Sequence, residues 1–480
     1  MRGAWPVAAV RDAEAALMAT LPPGTLMQRA ASGLARRCAL LLPRVYGAHV
    51  LLLVGSGDNG GDALYAGARL AARGAAVRAL PLTPAKAHRG GLAALRRAGG
   101  RVVTAIPDRV DLVVDGIVGI GGSGGLRPAA AELVASLSEV TTVAVDVPSG
   151  VDVDTGAVTG AAVRADVTVS FGCLKPGLVV GPAATCAGLV ELVDIGLAPY
   201  LTGDPAIEIP DAADVAAWWP RPRPDDDKYT RGVVGIAAGS EQFTGAAVLS
   251  IGGALAGPAG FVRYAGTAAD EVRQRWPEAV VSGRVADAGR VQAWVAGPGW
   301  GTDARAAKEL RSVLAAPVPA VLDADALTLL AEHPQKWLDR RRAPTVLTPH
   351  DREFARLGGE QPDHAGRVAS ALRLASWLDV VVLLKGDRTV VATPQGQAYA
   401  NPTGSPALAT AGTGDVLSGL VGSLLAAGVP AERAALAGAF GHGLAGRRAA
   451  AAGPVTAQYV ASELRTVVGE LQDDHGLRGR

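Results

Sequence analysis

Short apolar runs alternate with alanine- and leucine-rich stretches along the whole of this 480-residue chain. Residues 50–54 and 380–384 are two such runs, and both have the length of a buried strand. Strands that alternate with helical stretches are typical of α/β domains built on largely parallel sheets. The runs are also far shorter than the roughly 20 apolar residues that a membrane span needs. The pattern therefore predicts an α/β protein without a membrane partner.

The chain is too long for one ordinary hydrophobic core, so two domains are expected. Its composition changes between about residues 205 and 228, where three prolines in residues 218–227 prevent regular structure. We place the domain boundary just before this segment, which predicts one domain at residues 1–212 and a second at residues 213–480. No sequence repeat relates the two halves.

Charge and cysteine content narrow the class of protein. A net charge of +1 with scattered charged residues argues against a nucleic-acid-binding surface. Three cysteines without metal-ligand spacing, and no cleavable apolar segment near the N-terminus, predict a reduced cytoplasmic setting. Only six of the 46 basic residues are lysines, yet Lys175, Lys228 and Lys385 all lie in motif-like segments, which indicates a need for compact ammonium groups there.

The glycine-rich segment at residues 401–415 ends in Gly-Thr-Gly-Asp and precedes a stretch with helical spacing. Apolar residues recur there so that one helix face is expected to be buried: Val416, Leu417, Leu420, Val421, Leu424 and Leu425. The amides of Gly412, Thr413 and Gly414 would point out of the helix N-terminus, where a phosphate is favoured. Asp415 would then take the proton of a hydroxyl that attacks this phosphate. The alternative is an ordinary aspartate cap.

From about residue 215 to the C-terminus, the chain resembles the ADP-dependent NAD(P)H-hydrate dehydratases of the ribokinase-like superfamily. The resemblance rests on the segment around Asp415 and on further segments in the family's order. These are residues 228–232, 238–240, 244–246, 297–301, 322–327, 348–350 with Glu353, and 384–386.

The resemblance implies Asp415 as the catalytic base, with magnesium and ADP as cofactors. It implies nucleotide contacts for Lys385, Gly386, Asp387, Arg388, Thr389 and Gly414. It implies contacts with a hydrated NADH or NADPH substrate for Ala246, Gly299, Gly301, His350 and Asp415. A lone histidine is more often structural, so His350 depends on this context. Trp300 replaces a small aliphatic residue of the family, and either stacking on a ring or packing would explain it.

In the N-terminal half, a predicted strand at residues 49–54 leads into Gly-Ser-Gly-Asp-Asn-Gly-Gly-Asp at residues 55–62. We expect a helix to follow from Ala63 to about Arg73. The loop contains a GxGxxG pattern, so a dinucleotide-binding dehydrogenase has to be considered. The second strand ends in Pro81-Leu82, without an acid for a ribose hydroxyl, and Asp58 and Asp62 would repel a pyrophosphate. These two features argue against an ordinary Rossmann dehydrogenase.

Two further strand-end loops carry acidic or hydroxyl side chains, namely Asp115 and the pair Asp146 and Ser149. Ligands of parallel sheets bind beyond the carboxyl ends of the strands, so these groups and Asn59 are expected to converge. Oxygen ligands of this kind suit a hard cation. The alternative is a set of turn-forming residues.

These loops resemble those of the NAD(P)H-hydrate epimerases, whose hallmarks are a GxGNNGGDG loop, a DAxxGxG loop and a VDxPSGVD segment. The resemblance implies a potassium ion held by Asn59, Asp115 and Ser149. It implies contacts with the hydrated nucleotide for Asp58, Asn59, Gly60, Gly61, Asp62, Gly119, Ile120, Gly121, Gly122, Ser123, Gly124, Gly125 and Asp146. The sequence departs from the family at Asp58, Ala63 and Ile120, where asparagine, glycine and threonine are usual.

The two resemblances together imply an N-terminal Rossmann-like three-layer α/β/α domain followed by a ribokinase-like α/β domain. The first would interconvert the R and S hydrates of NADH or NADPH, and the second would dehydrate the S hydrate while ADP is converted to AMP and phosphate. We expect these small molecules as ligands, a homo-oligomer, and no nucleic-acid partner. A small-molecule kinase and a non-enzymatic nucleotide-binding protein are the alternatives.

Overall fold

The computed structural model describes residues 1–122, 124–359 and 366–477, with side chains up to residue 473. The chain divides into two compact units. One comprises Gly3–Ile207, and the other comprises Met1–Arg2 together with Glu208–Arg480. Each unit is described by itself below.

The helices and strands before residue 207 have short connections. The helices are α1 (Val7–Met18), α2 (Thr25–Leu41), α3 (Asp58–Ala72), α4 (Arg89–Arg97), α5 (Pro128–Ala135) and α6 (Gly181–Cys186). The strands are β1 (Arg2–Ala4), β2 (His49–Val54), β3 (Ala76–Pro81), β4 (Arg101–Val102), β5 (Leu112–Gly116), β6 (Thr142–Val145), β7 (Val167–Phe171) and β8 (Leu189–Val193).

The sheet of this unit has the order β4-β3-β2-β5-β6-β7-β8, and its strand pairs are all parallel. Alternate residues of β2 belong to two separate hydrophobic cores, because side chains of a strand alternate between the sheet faces. Val50 and Leu52 pack with residues of α1 to α4. Leu51 and Leu53 pack with Leu133 of α5 and its neighbours. Two covered faces make a three-layer α/β/α domain, which confirms the predicted fold class.

The second unit contains more and longer helices. They are α7 (Ala212–Trp218), α8 (Thr244–Leu255), α9 (Ala269–Arg275), α10 (Ala304–Ala315), α11 (Asp325–Glu332), α12 (Pro334–Leu338), α13 (Asp351–Arg356), α14 (Arg367–Leu378), α15 (Thr413–Ala426), α16 (Ala431–Ala452) and α17 (Ala457–Leu477).

The strands from residue 207 onward are β9 (Ile207–Ile209), β10 (Val233–Ala237), β11 (Phe261–Ala265), β12 (Val280–Ser282), β13 (Ala293–Ala296), β14 (Ala320–Leu322), β15 (Thr345–Leu347), β16 (Val381–Leu384), β17 (Val390–Ala392) and β18 (Ala398–Ala400). They lie in the order β9-β18-β17-β16-β15-β14-β13-β10-β11-β12. The pairs from β12 to β16 are parallel, whereas β17 is antiparallel to both of its neighbours.

Helix α15 lies at the centre of the second unit. The residues from Val416 to Ala426 are all buried, so this helix is enclosed on every side rather than on the one face that the sequence predicts. It packs closely against α8, where a Cβ on Gly419 would lie 1.9 Å from the carbonyl oxygen of Ser250. Small residues on both helices therefore permit the close approach that fixes the N-terminus of α15 in the core.

Helix α3 begins at Asp58, five residues before the start that the sequence predicts. Its first turn therefore contains Asp58 and Asn59 as helical residues rather than as loop residues. Glycines in the next turn are buried against protein: a Cβ on Gly61 would lie 2.9 Å from the Cε of Met27. A search of the described helices finds none that is long and apolar enough to span a bilayer.

Candidate functional site

The carboxyl ends of β13, β14, β15 and β16 bring several predicted site loops together in the second unit. A Cβ on Gly297, which has a φ of 117°, would lie 2.0 Å from the carbonyl oxygen of Asp323. The backbone N–H of Lys385 donates to the carbonyl of Pro349 over 2.8 Å. Four loops that are far apart in the sequence thus meet at one edge of the sheet, where ligands of parallel sheets bind.

Asp323 is the centre of the polar network at this edge. Its carboxylate is 1% exposed and accepts from Lys385 Nζ at 2.8 Å and from Ser418 Oγ at 2.5 Å. The next residue, Ala324, has a φ of 49°, a strained value for a residue with a side chain. The network joins β14, the loop that contains Lys385 and helix α15. Asp323 and Ser418 are not among the site residues predicted from the sequence, although Asp323 lies in one of the matching segments.

Asp415 lies in the first turn of α15, as the sequence predicts. Burial, together with the negative charge of Asp323, raises the pKa of Asp415 to about 7, and the positive charge of Lys385 partly opposes this rise. A carboxyl group with a pKa near 7 is well suited to accept a proton at neutral pH. Gly412, in a left-handed conformation, forms the cap, while the N–H of Thr413 is taken up by the carbonyl of Thr410 at 3.3 Å. The predicted trio of free amides is therefore incomplete, because the Thr413 donor is already engaged.

Lys385 is directly beside the N-terminus of helix α15. A Cβ on Gly414 would lie 3.5 Å from Lys385 Nζ, so the ammonium group faces the first turn of α15. Burial lowers the pKa of Lys385, but the carboxylates of Asp323 and Glu353 more than offset this, and the net shift is upward. The side chain keeps 21% of its surface exposed. A charged ammonium group is therefore available to a ligand at this helix end.

The loop after Lys385 is held by side chains of its surroundings. Arg367 donates to the carbonyl of Lys385 and, at 2.6 Å, to Asp351. The hydroxyl of Thr389 donates to the carbonyl of Gly386 at 2.9 Å, and Arg388 pairs with Asp387 at 3.5 Å. The predicted nucleotide residues 385–389 thus form one ordered hairpin between β16 and β17.

His350 caps helix α13. Its Nδ1 accepts from the backbone N–H groups of Arg352 at 3.1 Å and Glu353 at 3.3 Å, and Glu353 accepts from the His350 N–H at 2.9 Å. Because Nδ1 is an acceptor, the neutral ring carries its proton on Nε2. The side chain is 48% exposed, so capping leaves one edge of the ring open.

Three of the predicted substrate residues of the second unit, Ala246, Gly299 and Gly301, lie beside or line a cavity. A Cβ on Gly299 would lie 2.7 Å from the Cβ of Ala246, so these two residues are adjacent. The N–H of Gly301 donates to Asp325 at 2.8 Å. Gly301 and Trp300 line a cavity of about 410 Å³ together with Phe243. Trp300 therefore lines an open space, where its ring can face a ligand.

The N-terminal unit has a second strand-end network, centred on Asp115. This residue is fully buried and accepts from the hydroxyl of Ser149 at 2.7 Å and from the Ser149 N–H at 2.8 Å. Burial raises the pKa of Asp115 to about 6, although the bonds from Ser149 and a third from the Ile117 N–H oppose the rise. Within the described residues, no ion pair of Asp115 is found. The structure thus brings two of the three predicted cation ligands together.

Asn59 lies beside the same loop. Its amide donates to the carbonyl of Val145 at 2.6 Å, and a Cβ on Gly119 would lie 2.3 Å from Asn59 Oδ1. Gly119 must therefore be a glycine for reasons of packing. A Cβ on Gly60 would in turn lie 2.5 Å from the carbonyl oxygen of Gly55, which explains a second glycine of this motif in the same way.

The other residues of the Gly119–Gly125 loop differ in their burial and in the groups against which they pack. Ile120 is half-buried and packs against two hydrophobic clusters of the unit. A Cβ on Gly121 would lie 3.3 Å from Arg11, and one on Gly125 would lie 2.8 Å from the Cα of Gly160. Gly122 is half-buried, Gly124 is exposed, and the predicted contact Ser123 lies outside the described residues.

Asp146 forms a buried ion pair with Lys175, which is 0% exposed, at 2.5 Å. Lys175 also donates to the hydroxyl of Ser170 at 3.1 Å and to the carbonyl of Phe171 at 3.0 Å. Asp146 adopts a φ of 65°, in the left-handed region. Lys175 was not among the predicted site residues, but its place in a motif-like segment of a lysine-poor chain was a usable signal.

Asp62, the last acid of the glycine loop, is 7% exposed, and its Oδ1 has no hydrogen-bond partner among the described residues. Burial raises its pKa well above the ordinary value, and the charges of Asp146, Asp58 and Glu14 add to the rise. Glu14 of α1 was not predicted as a site residue, yet burial and the charge of Asp146 raise its pKa as well. Buried polar atoms without partners are uncommon in proteins and mark functional sites.

Two protein-family models match the chain. The model described as NAD(P)H-hydrate dehydratase matches residues 234–466, and the model described as YjeF-related protein N-terminus matches residues 23–177. Among solved structures, the ADP/ATP-dependent NAD(P)H-hydrate dehydratase of Bacillus subtilis, co-crystallised with ATP and Mg²⁺, is 27% identical with a TM-score of 0.50. The match covers 55% of this chain and 99% of that chain. A ribokinase-like superfamily protein of Enterococcus faecalis is 25% identical, with a TM-score of 0.52, and covers 56% of this chain and 97% of that chain.

Two curated relatives extend over both units. The bifunctional NAD(P)H-hydrate repair enzyme of Mycobacterium leprae is 50% identical over 489 aligned residues, which cover 98% of this chain and 100% of that protein. The enzyme of the same name from Mycobacterium tuberculosis is 52% identical and covers 91% of each chain. Both halves of the chain, each with its own network of buried carboxylates, are therefore matched in order, and the chain belongs to the family of bifunctional NAD(P)H-hydrate repair enzymes.

Proposed function

We propose that the second unit removes water from the S hydrate of NADH or NADPH in an ADP-dependent reaction, and that the first unit interconverts the R and S hydrates. The observation that carries the first assignment is the position of Asp415, whose raised pKa and place at the N-terminus of α15 suit a base beside a phosphate. Family membership supports the pairing of the two activities on one chain.

In the dehydration, the carboxylate of Asp415 takes the proton of the substrate hydroxyl while the oxygen attacks the terminal phosphorus of ADP. AMP leaves, and the substrate carries a phosphate in place of its hydroxyl. Phosphate is a far better leaving group than hydroxide, so its loss together with a neighbouring C–H proton restores the dihydropyridine double bond. The first-turn amides of α15 and the ammonium group of Lys385 stabilise charge on the transferring group.

Magnesium fits this site as a partner of the nucleotide. The described residues contain no group of three or more His, Cys, Asp or Glu side chains arranged to hold a metal ion. Mg²⁺ commonly binds through substrate phosphates, with few protein ligands and several waters, so it would enter with ADP and neutralise phosphate charge. We propose that Lys385, Gly386, Asp387, Arg388, Thr389 and Gly414 contact the nucleotide.

Asp323 positions this machinery. It holds the ammonium of Lys385 and the hydroxyl of Ser418, one turn after Asp415, with its two carboxylate oxygens. Its negative charge also helps to raise the pKa of Asp415. We propose that Ala246, Gly299, Gly301 and His350 contact the hydrated nucleotide, with the cavity beside Trp300 as its entry.

In the N-terminal unit, we propose that Asn59, Asp115 and Ser149 hold a potassium ion. The donor set supports this proposal, because the fully buried carboxylate of Asp115, which has no ion pair among the described residues, contacts the hydroxyl of Ser149. The amide oxygen of Asn59 lies beside the Gly119 loop that follows the same strand. A hard monovalent cation would supply the missing positive charge. Residues 58–62, the loop at Gly119–Gly125 and Asp146 would contact the substrate around it.

The decisive experiment uses a mixture of R and S hydrates with ADP and Mg²⁺. We expect complete recovery of the absorbance of reduced nicotinamide, with one phosphate released for each hydrate consumed. A stable phosphorylated product would instead identify a small-molecule kinase. Recovery that stops once the S hydrate is exhausted would contradict the epimerase assignment.

We also propose a cytoplasmic location and a homo-oligomeric state. The three cysteines are buried and unpaired, which suits a reducing compartment. Light scattering on the purified protein tests the oligomeric state, and a monomeric mass would contradict it.

A further inference from the structure

Four carboxyl groups and one ammonium group are electrostatically coupled in the N-terminal unit: Glu14, Asp58, Asp62, Asp146 and Lys175. Lys175 is fully buried, and its ammonium group is engaged by Asp146, Ser170 and the carbonyl of Phe171. Its charge is therefore matched to one carboxylate. The other three carboxyl groups face one further cation, the guanidinium of Arg11 beside Glu14, so acidic groups outnumber cations in the cluster.

Asp62 distinguishes this cluster from a solvated acidic patch. Its side chain is more than nine-tenths buried, and its Oδ1 is without a hydrogen-bond partner among the described residues. Leaving a buried polar atom unpaired is unfavourable, so an unpaired atom of this kind suits a place where a ligand completes it. Burial and the neighbouring negative charges also raise the pKa of Asp62, which favours its protonated form.

The chemistry of the hydrate defines what such a group can do. A dihydropyridine is an enamine, so water adds with its hydroxyl on the carbon beside the ring nitrogen. The configuration at that carbon can be inverted by two routes. The hydroxyl can leave as water while the nitrogen lone pair forms a cationic C=N bond, or the ring C–N bond can open to give an aldehyde.

The acidic cluster favours the first route. Loss of water needs an acid beside the hydroxyl, and the cation that forms is stabilised by nearby negative charge. The carboxylates would repel the pyrophosphate of the substrate, so the nicotinamide end of the substrate is expected to lie toward Asp62. Asp58, which replaces the asparagine usual in the family, adds to the negative charge.

We propose that the N-terminal unit epimerises the hydrate by dissociation of water, with Asp62 as the acid and with Glu14, Asp58 and Asp146 as counter-charges to the cationic ring. The inference rests on the epimerase function proposed above. It assigns a proton-transfer residue and a reaction route to that site.

The steps balance as follows. The C–O bond breaks, its electron pair stays on oxygen, and the proton of Asp62 converts the oxygen to water, while the nitrogen lone pair forms the C=N bond. Water then attacks the same carbon from the opposite face, and the C=N electrons return to nitrogen. The proton lost by the attacking water goes to a carboxylate of the cluster, and exchange with solvent returns the cluster to its starting state.

Oxygen exchange with the solvent tests the route on the unmodified full-length protein. Pure R hydrate of NADH is incubated without ADP in H₂¹⁸O with potassium, and the S hydrate formed in the first turnovers is analysed by mass spectrometry. We expect one ¹⁸O in each S hydrate, and retention of deuterium placed on the hydroxyl-bearing carbon. S hydrate that keeps its original oxygen, or that loses the deuterium, would overturn the route.

Asp62→Asn tests the acid, because the amide keeps the shape but cannot donate the same proton. We expect epimerisation to fall by roughly 100- to 10,000-fold. An unchanged thermal unfolding profile reports correct folding of the N-terminal unit, and unchanged ADP-dependent dehydration of S hydrate reports an intact second unit. Asp12→Asn, an exposed aspartate on α1, is the matched control and should epimerise normally. Asp62→Asn within threefold of the unmodified protein would overturn the role of Asp62. A complete lack of epimerisation by the unmodified protein would instead refute the proposed function.

Discussion

Each unit has an ion pair between a lysine and an aspartate near the carboxyl ends of its parallel strands. The two units differ in how far the lysine is exposed to solvent. In the first unit Lys175 lies 2.5 Å from Asp146, and its side chain is 1% exposed. In the second unit Lys385 lies 2.8 Å from Asp323, but its side chain is 21% exposed. The ion pairs are similar in length, so burial of the lysine is the main difference between them.

This difference decides which charge each site offers to a ligand. The ammonium group of Lys175 donates its hydrogen bonds to Asp146, Ser170 and Phe171. The carboxylates around it therefore favour a cation. Lys385 faces the N-terminus of α15 and reinforces the positive end of a helix dipole, which favours a phosphate. In the proposed function, the same kind of ion pair would therefore serve opposite ligands, according to whether its ammonium group is enclosed.

The largest effect should follow from changing the base of the phosphate site. In Asp415→Asn, dehydration of S hydrate should fall by roughly 100- to 10,000-fold, because the amide cannot accept the hydroxyl proton. Phosphate release and recovery of nicotinamide absorbance measure this. Epimerisation by the same protein should be unchanged, and an unchanged thermal unfolding profile serves as the folding control for the second unit. Near-normal dehydration would remove Asp415 from its proposed role.

Lys385→Ala tests the exposed ammonium group itself. Loss of a charge-assisted contact to phosphate should cost about 1.5–3 kcal/mol of ADP binding, or roughly 10- to 150-fold in apparent affinity. The measurement is an ADP titration at saturating hydrate. Lys308→Ala, an exposed lysine of α10, is the matched control. Equal ADP affinity in the two variants would contradict the phosphate contact.

Asp115→Ala tests the cation preference of the first unit. Potassium-dependent epimerisation should fall by roughly 10- to 100-fold, the range seen when the surroundings of a metal site are altered. A potassium titration of R-hydrate repair measures this, with the exposed Asp108→Ala as control. With pure S hydrate and ADP, repair should proceed normally. R-hydrate repair at the unmodified rate would show that the cation site is misassigned.

The smallest effect concerns the pH dependence of dehydration. A base whose pKa is about 7 is protonated at lower pH, so kcat/KM should fall as the pH drops below about 7. Asp323→Asn removes a negative charge that faces Asp415 together with Lys385 and Asp325, so the pKa of Asp415 should fall. The acidic limb should then move to lower pH by up to about one unit. A limb that stays in place or moves upward would contradict this electrostatic role of Asp323.

Much of the fold could be predicted because it depends on local patterns. Alternating apolar runs indicate parallel strands, and the residues after Gly412 form the expected helix with Asp415 in its first turn. The glycine motifs also identify the correct loops. The physical reason for these glycines is partly different from the expected one, since Gly60 and Gly119 are required by close protein packing.

The rest depends on contacts between distant parts of the chain. Asp323 and Lys385 are separated by 62 positions, and no local spacing shows that they share a hydrogen bond. The fold also decides that Asp62 Oδ1 has no hydrogen-bond partner within the described part of the chain and that Asp62 lies near the charges of Glu14 and Asp146. Neither property is visible in the local sequence. The early start of α3 was missed because glycines and aspartates favour turns locally, whereas here the packed surroundings of Gly60 and Gly61 support a helix.

The backbone conformation of Asp146 limits which residues can replace this aspartate. At a φ of 65°, glycine, asparagine and aspartate are the residues tolerated with least strain. Glycine or asparagine would leave the ammonium group of Lys175 buried without its counter-ion, a loss worth roughly 3–5 kcal/mol. Either residue of the pair therefore resists replacement while the other is present. A replacement of one residue of the pair should therefore be tolerated only when the other is replaced as well.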